Sequence, residues 1–309
     1  MAATTTGPIA QPTRTAGAER RARAYRPLGS WSRRTLVIMT ALLVLGTILY
    51  LGPFLIQVAN SFKTDAEAIQ NPASLIPNPF SLDGWKAALG MDPAFPVNLP
   101  RWVTNSVVVA VSVTVGRVII DCLAGYALAR IRFPGKGAAT ALIIGVMAVP
   151  GVVLLIPKFL VIKQLGMYDT YAGMIIPLLC DSVGILLMRT AFMSVPWELE
   201  EAAIIDGAGV MRRFVSITMP LVVPALITVI ILSFQGSWNE FTHFLVATSD
   251  PNLATLNLGI AQLSAGAAKG PSLFPMKLAL ATLSMIPVAL LFIFFQRYFV
   301  RSIGTTGIK

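Results

Sequence analysis

Apolar residues fall into six long segments that alternate with polar stretches along the chain. A helix that crosses the hydrocarbon core of a bilayer needs about 20 predominantly apolar residues, and each segment reaches that length. Proline occurs inside or near the ends of these segments, which membrane helices tolerate because neighbouring helices satisfy the freed carbonyl groups. The pattern predicts an all-α membrane protein whose six transmembrane helices span residues 36–58, 103–129, 138–161, 171–193, 217–237 and 276–299.

Composition supports a surface that faces lipid. Of 309 residues, 55% are hydrophobic and only 12% are charged, whereas ordinary soluble domains carry about 25% charged residues. The net charge is +10, but the basic residues gather in the N-terminal tail and at the ends of apolar segments, where anionic lipid headgroups attract them. The sequence has no basic patch interleaved with aromatic residues, so the predicted contact is the lipid bilayer and not a nucleic acid.

Lysine and arginine are distributed unequally among the connecting loops. Residues 1–35 contain seven arginines and one glutamate, and basic residues recur in alternate loops and at the C-terminus. The positive-inside rule therefore predicts that both termini and the loop 194–216 are cytoplasmic and that residues 59–102 form an extracytoplasmic loop. Residues 1–35 are predicted to be a disordered basic tail, residues 36–299 the transmembrane domain, and residues 300–309 a cytoplasmic C-terminal tail.

The sequence lacks the patterns that catalysis requires. It has no phosphate-binding G-x-x-x-x-G-K-[ST] loop, and the nearest stretch, residues 134–137, lacks the required spacing. Two cysteines, Cys122 and Cys180, and one histidine, His243, are too few and too scattered for a soft-metal site. We interpret the histidine as a satisfied interior or interfacial residue. We predict no catalytic residue, metal site or cofactor in this chain, so ATP and its Mg²⁺, if used, must bind to a partner chain.

The loop between the fourth and fifth apolar segments is predicted to form two short helices joined by a turn. Pro196 suits the first helical turn, and the acidic residues that follow it lie where the helix dipole favours anions. Gly207 suits the left-handed position that ends a helix, and Asp206 is placed to cap a second helix. Ala202 and Ala203 give the first helix a small-residue face that another protein can approach closely. An ordinary amphipathic connector at the headgroups is the alternative on these features alone.

The same loop resembles the EAA loop of ABC-importer permeases, whose pattern is EAA-x3-G-x9-I-x-L-P. The residues that match at the correct spacing are Glu201, Ala202, Ala203, Gly207, Ile217 and Pro220. Met219 stands where the family usually has leucine. In that family the loop is a coupling helix that docks in a cleft on a cytoplasmic ATPase and transmits its closure to the membrane helices. The resemblance therefore assigns ATPase coupling to Glu200, Glu201, Ala202, Ala203, Asp206, Gly207 and Pro220.

The resemblance extends over about residues 36–309 and is closest in character to carbohydrate-type (CUT1) permeases. The stretches that carry it are residues 105–106, 126–135, 201–224 and 236–241. It implies the type I ABC-importer permease fold. The C-terminal segment is similar to the tail of the maltose-type second permease, which reaches the ATPase dimer interface. That similarity implies the same role for Gly304, Gly307 and Lys309, and a plain cytoplasmic stop signal is the alternative.

For the assembly, the resemblance implies a heterodimer with a second homologous permease, two cytoplasmic ATP-binding subunits and an extracytoplasmic solute-binding protein or lipoprotein. It implies a sugar or oligosaccharide as substrate and the plasma membrane of a prokaryote as location. Glycerol phosphate or another polar solute stays open, since related permeases handle it. An ion-coupled secondary transporter is the alternative from a different class, but it would need its own coupling-ion site, and the sequence shows no half-to-half repeat.

Charged and polar residues inside the apolar segments are candidates for the solute pathway because they are costly in lipid. Arg117 and Asp121 lie four residues apart on one helical face, so they are predicted to pair, either as a structural ion pair facing the partner subunit or within the pathway. Asp181 has no nearby cation on its helix and is predicted to face a polar cavity or a neighbouring helix. Residues 238–240 offer the aromatic, amide and carboxylate groups that sugars need, with an interfacial tryptophan anchor as the alternative. The pathway candidates are Asn105, Arg117, Asp121, Asp181, Trp238, Asn239 and Glu240.

Overall fold

The computed structural model describes residues 32–93, 95, 97–266 and 274–305, and the side chains of residue 266 and residues 297–305 lie outside that description. Two compact units divide the chain, residues 1–54 and 55–309. Most of the predicted N-terminal tail, and Gly307 and Lys309 at the other end, fall outside the described residues. Gly304 lies near the end of the last helix.

Helices make up nearly all of the regular structure, and the described residues contain no β-strand. Short 3₁₀ turns cover Gly151–Leu154, Ile176–Leu178 and Pro251–Leu253, and a π-helical turn covers Phe214–Thr218. The α-helices are α1 Arg33–Asn60, α2 Asp65–Gln70, α3 Asp83–Ala88, α4 Leu99–Arg130, α5 Lys136–Met147, α6 Leu155–Gln164, α7 Tyr171–Ile175, α8 Ser182–Ser194, α9 Trp197–Ile205, α10 Val210–Arg213, α11 Met219–Leu221, α12 Val223–Trp238, α13 Thr242–Ala247, α14 Leu256–Gly266 and α15 Phe274–Thr305.

Three helices are each long and apolar enough to cross a membrane: α1, α4 and the stretch 274–296 of α15. Three further segments qualify as bent pairs, α5 with residues 151–164, residues 171–178 with α8, and residues 210–221 with α12. Each of the six coincides with an apolar segment predicted from the sequence, so the all-α architecture is confirmed. The third, fourth and fifth segments are not continuous helices, because they bend by 98°, 43° and 85°.

Proline and a capping carboxylate explain the bends. Pro150 precedes the first 3₁₀ turn with an extended backbone, and proline removes the N–H that a continuous helix needs. Asp181 is also extended, and its side chain accepts a hydrogen bond from the Gly184 N–H at 3.3 Å, so α8 starts there as a new helix. Pro220 and Pro224 flank the third bend near the start of α12.

Helix α4 is the centre of the second unit. It packs against α8 and α12, and small residues permit the close approach, as is common between membrane helices. A methyl group added at Gly125 would lie 2.8 Å from Met188 Cβ and 2.9 Å from the Arg189 nitrogen. One cluster of buried apolar side chains, which includes Tyr126 and Phe192, lies where α4 meets α8, close to the loop predicted to couple to an ATPase.

Residues 59–102 are well organised by buried polar groups. Lys63 is fully buried, and its ammonium donates to the carbonyl oxygens of Asn71 and Ser74 at 2.8 and 2.7 Å. This loop also contains the short helix α3. That helix packs on the start of α15, where a methyl group at Gly84 would lie 2.8 Å from Pro275 Cβ.

Candidate functional site

The EAA loop (residues 194–216) contains a nine-residue helix, α9, that starts directly after Pro196. Glu198 and Glu200 lie in its first turn, as predicted, where the helix dipole favours negative charge. Gly207 ends the helix with φ +76°. The Gly207 and Ala208 N–H groups donate to the carbonyls of Ile204 and Ala203, and this pair of bonds is a Schellman motif. The prediction that Gly207 terminates the helix is therefore confirmed.

Two details of the loop differ from the sequence prediction. Asp206 does not cap the next helix, because α10 begins at Val210 with Gly209 at its N-cap and without a side-chain cap. Ala202 and Ala203 do not share one exposed face, because Ala203 is only 7% exposed whereas Ala202 is open to solvent. A helix turns by 100° per residue, so adjacent alanines on a half-buried helix point in different directions.

Glu200 connects α9 to the end of α4. Its side chain is 1% exposed; Tyr126 Oη donates to Oε2 at 3.0 Å, and Arg130 Nε lies 3.2 Å from Oε1. Neither of these two atoms makes a hydrogen bond, so their contact is an ion pair. The Arg130 guanidinium also donates to the carbonyls of Phe192 and Val195 at the end of α8. One arginine thus joins three helices, α4, α8 and α9.

Sequence reasoning named Glu200 but missed Tyr126 and Arg130 as its partners. They lie four residues apart, so they share the face of α4 that meets the EAA loop. A basic residue at the end of an apolar segment is usually interpreted as a topology signal. For that reason the sequence analysis did not assign Arg130 as the partner of Glu200. The Arg130 guanidinium also lies over the Trp197 ring at 5.6 Å, and Trp197 Nε1 donates to Glu201 Oε1 at 2.6 Å.

The opposite face of α9 presents a stripe of small and apolar side chains. Leu199 and Ile205 are 44% and 86% exposed, and Ala202 lies between them at helical spacing. Exposed apolar groups grouped in this way are typical of interaction surfaces. Pro220, also assigned to coupling, lies exposed beside the 85° bend that leads into α12.

The charged residues within the membrane segments are arranged differently from the prediction. No ion pair links Arg117 with Asp121 among the described residues, and Arg117 Nε donates instead to the Leu178 carbonyl. Asp121 is fully buried against Gly184, where an added methyl group would overlap its carboxylate. The predicted pair is therefore not formed, and Arg117 is hydrogen-bonded to the bent fourth segment instead. Asp181 caps α8 as described above.

Asn105 and Trp238 are both buried and hydrogen-bonded within the chain. Asn105 is 2% exposed; its amide nitrogen donates to the carbonyls of Asn252 and Ala254, each at 2.9 Å, and its oxygen accepts from Tyr171 Oη at 2.6 Å. Trp238 is 4% exposed, and its Nε1 donates to the Ser284 carbonyl at 3.0 Å. Asn239 ends α12 and is exposed.

Glu240 lines a cavity of about 230 Å³ between the bend of the third segment and the start of α13. Its Oε1 accepts a hydrogen bond from the His243 backbone N–H at 2.8 Å. His243 is 3% exposed, and its Nε2 lies 3.1 Å from the Gly173 carbonyl oxygen. Burial, and then the nearby Lys158 ammonium, lower the pKa of His243 below its ordinary value of 6.5. The cavity lining consists of Gly151, Val152, Leu155, Lys158, Glu240, Thr242 and His243.

Comparison with known proteins identifies related transport proteins. Residues 121–305 match the family described as binding-protein-dependent transport system inner membrane component. The sn-glycerol-3-phosphate transport system permease protein UgpE of Yersinia enterocolitica is 33% identical over 268 residues, which cover 85% of this chain and 93% of that protein. UgpE of Brucella abortus is 31% identical over 86% of this chain and 94% of its own length.

A solved structure shares the fold. It is a chain of a bacterial ABC transporter involved in the import of the acidic polysaccharide alginate, with a TM-score of 0.72 and 24% sequence identity, covering 89% of this chain and 100% of that one. The chain therefore belongs to the family of binding-protein-dependent transport system inner membrane components, and the prediction of a multi-pass ABC-importer permease is confirmed.

Proposed function

We propose that this chain forms one half of the translocation pathway of an ATP-driven importer for a sugar or oligosaccharide in the plasma membrane of a prokaryote. The observation that carries the proposal is the attachment of α9 to α4 through the buried Glu200–Arg130 pair. Helix α9 is attached to α4 on one face and exposes apolar side chains on the other. A helix of this kind can transmit movement from a partner protein to the membrane helices. In this orientation both termini and the EAA loop are cytoplasmic, as the distribution of basic residues indicates.

The proposed mechanism depends on the contacts of Arg130 with α8 and α9. Because its guanidinium contacts the carboxylate of α9 and the carbonyls at the end of α8, a displacement of α9 moves α4 and α8 together. Those two helices pack closely at Gly125 and therefore shift as a unit. Movement of packed helices between two arrangements is a common basis of switching. ATP-driven closure of a partner would in this way open the pathway to the other side of the membrane.

The partners in this proposal are a second homologous permease, two cytoplasmic subunits that bind ATP with Mg²⁺, and an extracytoplasmic solute-binding protein. The stripe formed by Leu199, Ala202 and Ile205 supports the ATPase contact, since exposed apolar side chains suit a partner's cleft. The tail residues Gly304, Gly307 and Lys309 are proposed to reach the same ATPase pair. This chain itself supplies no nucleotide site in the proposal.

Glycerol phosphate is the second candidate substrate. Two of the relatives that span most of this chain are named as sn-glycerol-3-phosphate permeases, and the cavity beside Glu240 contains an ammonium, Lys158, that suits a phosphate. Sugars and glycerol phosphate share adjacent hydroxyl groups. We therefore propose a polyhydroxylated solute as the substrate, and the uptake test decides between a sugar and glycerol phosphate.

The test is co-purification followed by reconstitution. The chain is tagged in its native membrane, solubilised gently, and its companions are identified; the complex is then placed in proteoliposomes with its solute-binding protein. We expect uptake of labelled maltose, trehalose or sn-glycerol 3-phosphate that requires ATP inside the vesicles. Uptake by the isolated chain, driven by an ion gradient without an ATPase, would overturn the proposal in favour of a secondary transporter.

A further inference from the structure

The cavity beside Glu240 exists because the third membrane segment is bent. The 98° bend after α5 turns residues 151–155 toward the segment that links α12 to α13. Gly151, at the bend, has no atom within 4 Å of the place where a side chain would start, so the backbone itself leaves room. The volume of about 230 Å³ is smaller than the roughly 300–1,000 Å³ typical of drug-sized ligands. The space suits one small ring or a three-carbon unit.

Two opposite charges face this cavity without neutralising each other. The Lys158 ammonium has no hydrogen bond or ion pair within the described part of the chain, and it is farther than 4 Å from the Glu240 carboxylate. Glu240 uses Oε1 for the His243 N–H, and no described group donates to its other oxygen. A partly desolvated ammonium and carboxylate held apart in this way are available to a ligand that both donates and accepts hydrogen bonds.

His243 forms part of the cavity wall. A carbonyl oxygen only accepts hydrogen bonds, so the contact with Gly173 places the ring proton on Nε2. Nδ1 is then an acceptor, and it is buried without a hydrogen-bond partner among the described residues. Because Nδ1 lies beneath the cavity surface, Glu240 and Lys158 carry the polar contacts with a ligand. The buried position of His243 and the hydrogen bond at Nε2 agree with its interpretation as an interior residue.

We infer that the cavity is a contact subsite for the imported solute and takes one polyhydroxylated unit, whose hydroxyls donate to Glu240 Oε2 and accept from Lys158 Nζ. This inference rests on the proposed function, since the ligand is the transported solute. A sugar ring and the glycerol unit of glycerol phosphate both present adjacent hydroxyls. In the second case the phosphate pairs with Lys158.

Protection of an introduced cysteine tests the subsite in the complete importer. Thr242 lines the cavity and is exposed, so Thr242→Cys, in a Cys180→Ser background that removes the other exposed thiol, can be labelled with a maleimide. We expect sn-glycerol 3-phosphate or maltose, whichever the wild-type importer transports, to slow labelling several-fold. An unchanged labelling rate at saturating solute, in a complex that transports that solute, overturns the subsite and leaves the proposed function intact.

Charge variants show which groups bind. Glu240→Gln is expected to raise the concentration of either solute that protects the cysteine by about 10- to 100-fold. That factor of about 10 to 100 corresponds to the loss of a hydrogen bond to a charged group. Lys158→Met is expected to weaken protection by glycerol 3-phosphate by a similar factor and protection by maltose by only a few-fold. The matched control is Lys163→Met, on the same helix, whose ammonium lies 5.1 Å from the Phe159 ring and outside the cavity lining. Equal effects of the Lys158 and Lys163 variants would overturn the inference.

Discussion

Arg130 Nε and Glu200 Oε1 lie 3.2 Å apart, and both side chains are almost completely buried. The two residues belong to different helices, α4 and α9, and the Tyr126 hydroxyl supports the same carboxylate from the α4 side. A buried ion pair is weak evidence for stability in itself, but removal of one partner leaves an uncompensated charge. The pair therefore fixes the position of α9 relative to the membrane helices more than it adds to their packing.

Arg130→Met should destabilise the permease by about 3–5 kcal/mol, because Glu200 stays buried without its cation. The measurement is the Tm of the purified complex in detergent, with ATP-dependent uptake as the second readout. Tyr126→Phe removes only one hydrogen bond and should cost about 1 kcal/mol. The double variant Arg130→Met/Glu200→Met should regain part of the lost Tm; a double variant no more stable than the single one contradicts the pairing.

Ala202→Trp and Ala203→Trp should fail in different ways although the residues are adjacent. Ala202 is exposed on the stripe proposed to meet the ATPase, so its variant should assemble normally and lose at least about tenfold in uptake, as for an interface hot spot. Ala203 is 7% exposed, so a tryptophan there overpacks α9 and should cost about 1–3 kcal/mol in stability. Normal uptake by a stable Ala202→Trp complex would exclude the docking surface.

Gly207→Ala should destabilise the end of α9 by about 1–2 kcal/mol, because only glycine adopts a positive φ without steric cost. No neighbour approaches the added methyl group, so the effect is strain alone. Gly209→Ala is the matched control, with φ −66° and equally open space. A Tm scan of both variants is sufficient, and equal Tm values would show that the left-handed turn carries no cost here.

Asp169 should make one loop sensitive to acid. Desolvation opposes ionisation of this carboxyl, but hydrogen bonds from the Ser249 and Asp250 backbones and the Thr248 hydroxyl outweigh it and lower its pKa below 3.8. Because the pKa is depressed by folding, the ionised form stabilises the loop above about pH 4 and the contribution disappears as pH falls through the folded pKa. The Tm of wild type should therefore drop at acid pH.

Asp169→Asn is the variant that checks this expectation. Asparagine tolerates the residue's positive φ of 55°, so the backbone geometry is kept while the charge is removed. The variant should show a flatter dependence of Tm on pH below about 4. An acid limb as steep as that of wild type would assign the pH dependence to other carboxyl groups.

Local features were predictable where neighbouring residues decide them. The six apolar segments follow from the length of a membrane-spanning helix, and Gly207 follows from the backbone freedom that a helix end requires. The EAA spacing also lies in one continuous stretch. The bend at Pro150 was missed because membrane helices often tolerate proline, so the residue type alone does not fix the geometry. The bend at Asp181 was missed because this residue was assigned to a cavity or a neighbouring helix and not to a helix cap.

The sequence by itself determined that this is a helical membrane permease and where its EAA loop lies, because hydrophobic length and motif spacing are properties of contiguous residues. Only the tertiary structure decided that Glu200 is buried with Arg130, that Ala203 points inward, that Asn105 is saturated by internal hydrogen bonds, and that Lys158 meets His243 at a cavity. These relationships join residues that lie from tens to more than a hundred positions apart. Helix packing and the bends, which no local pattern specifies, bring them together.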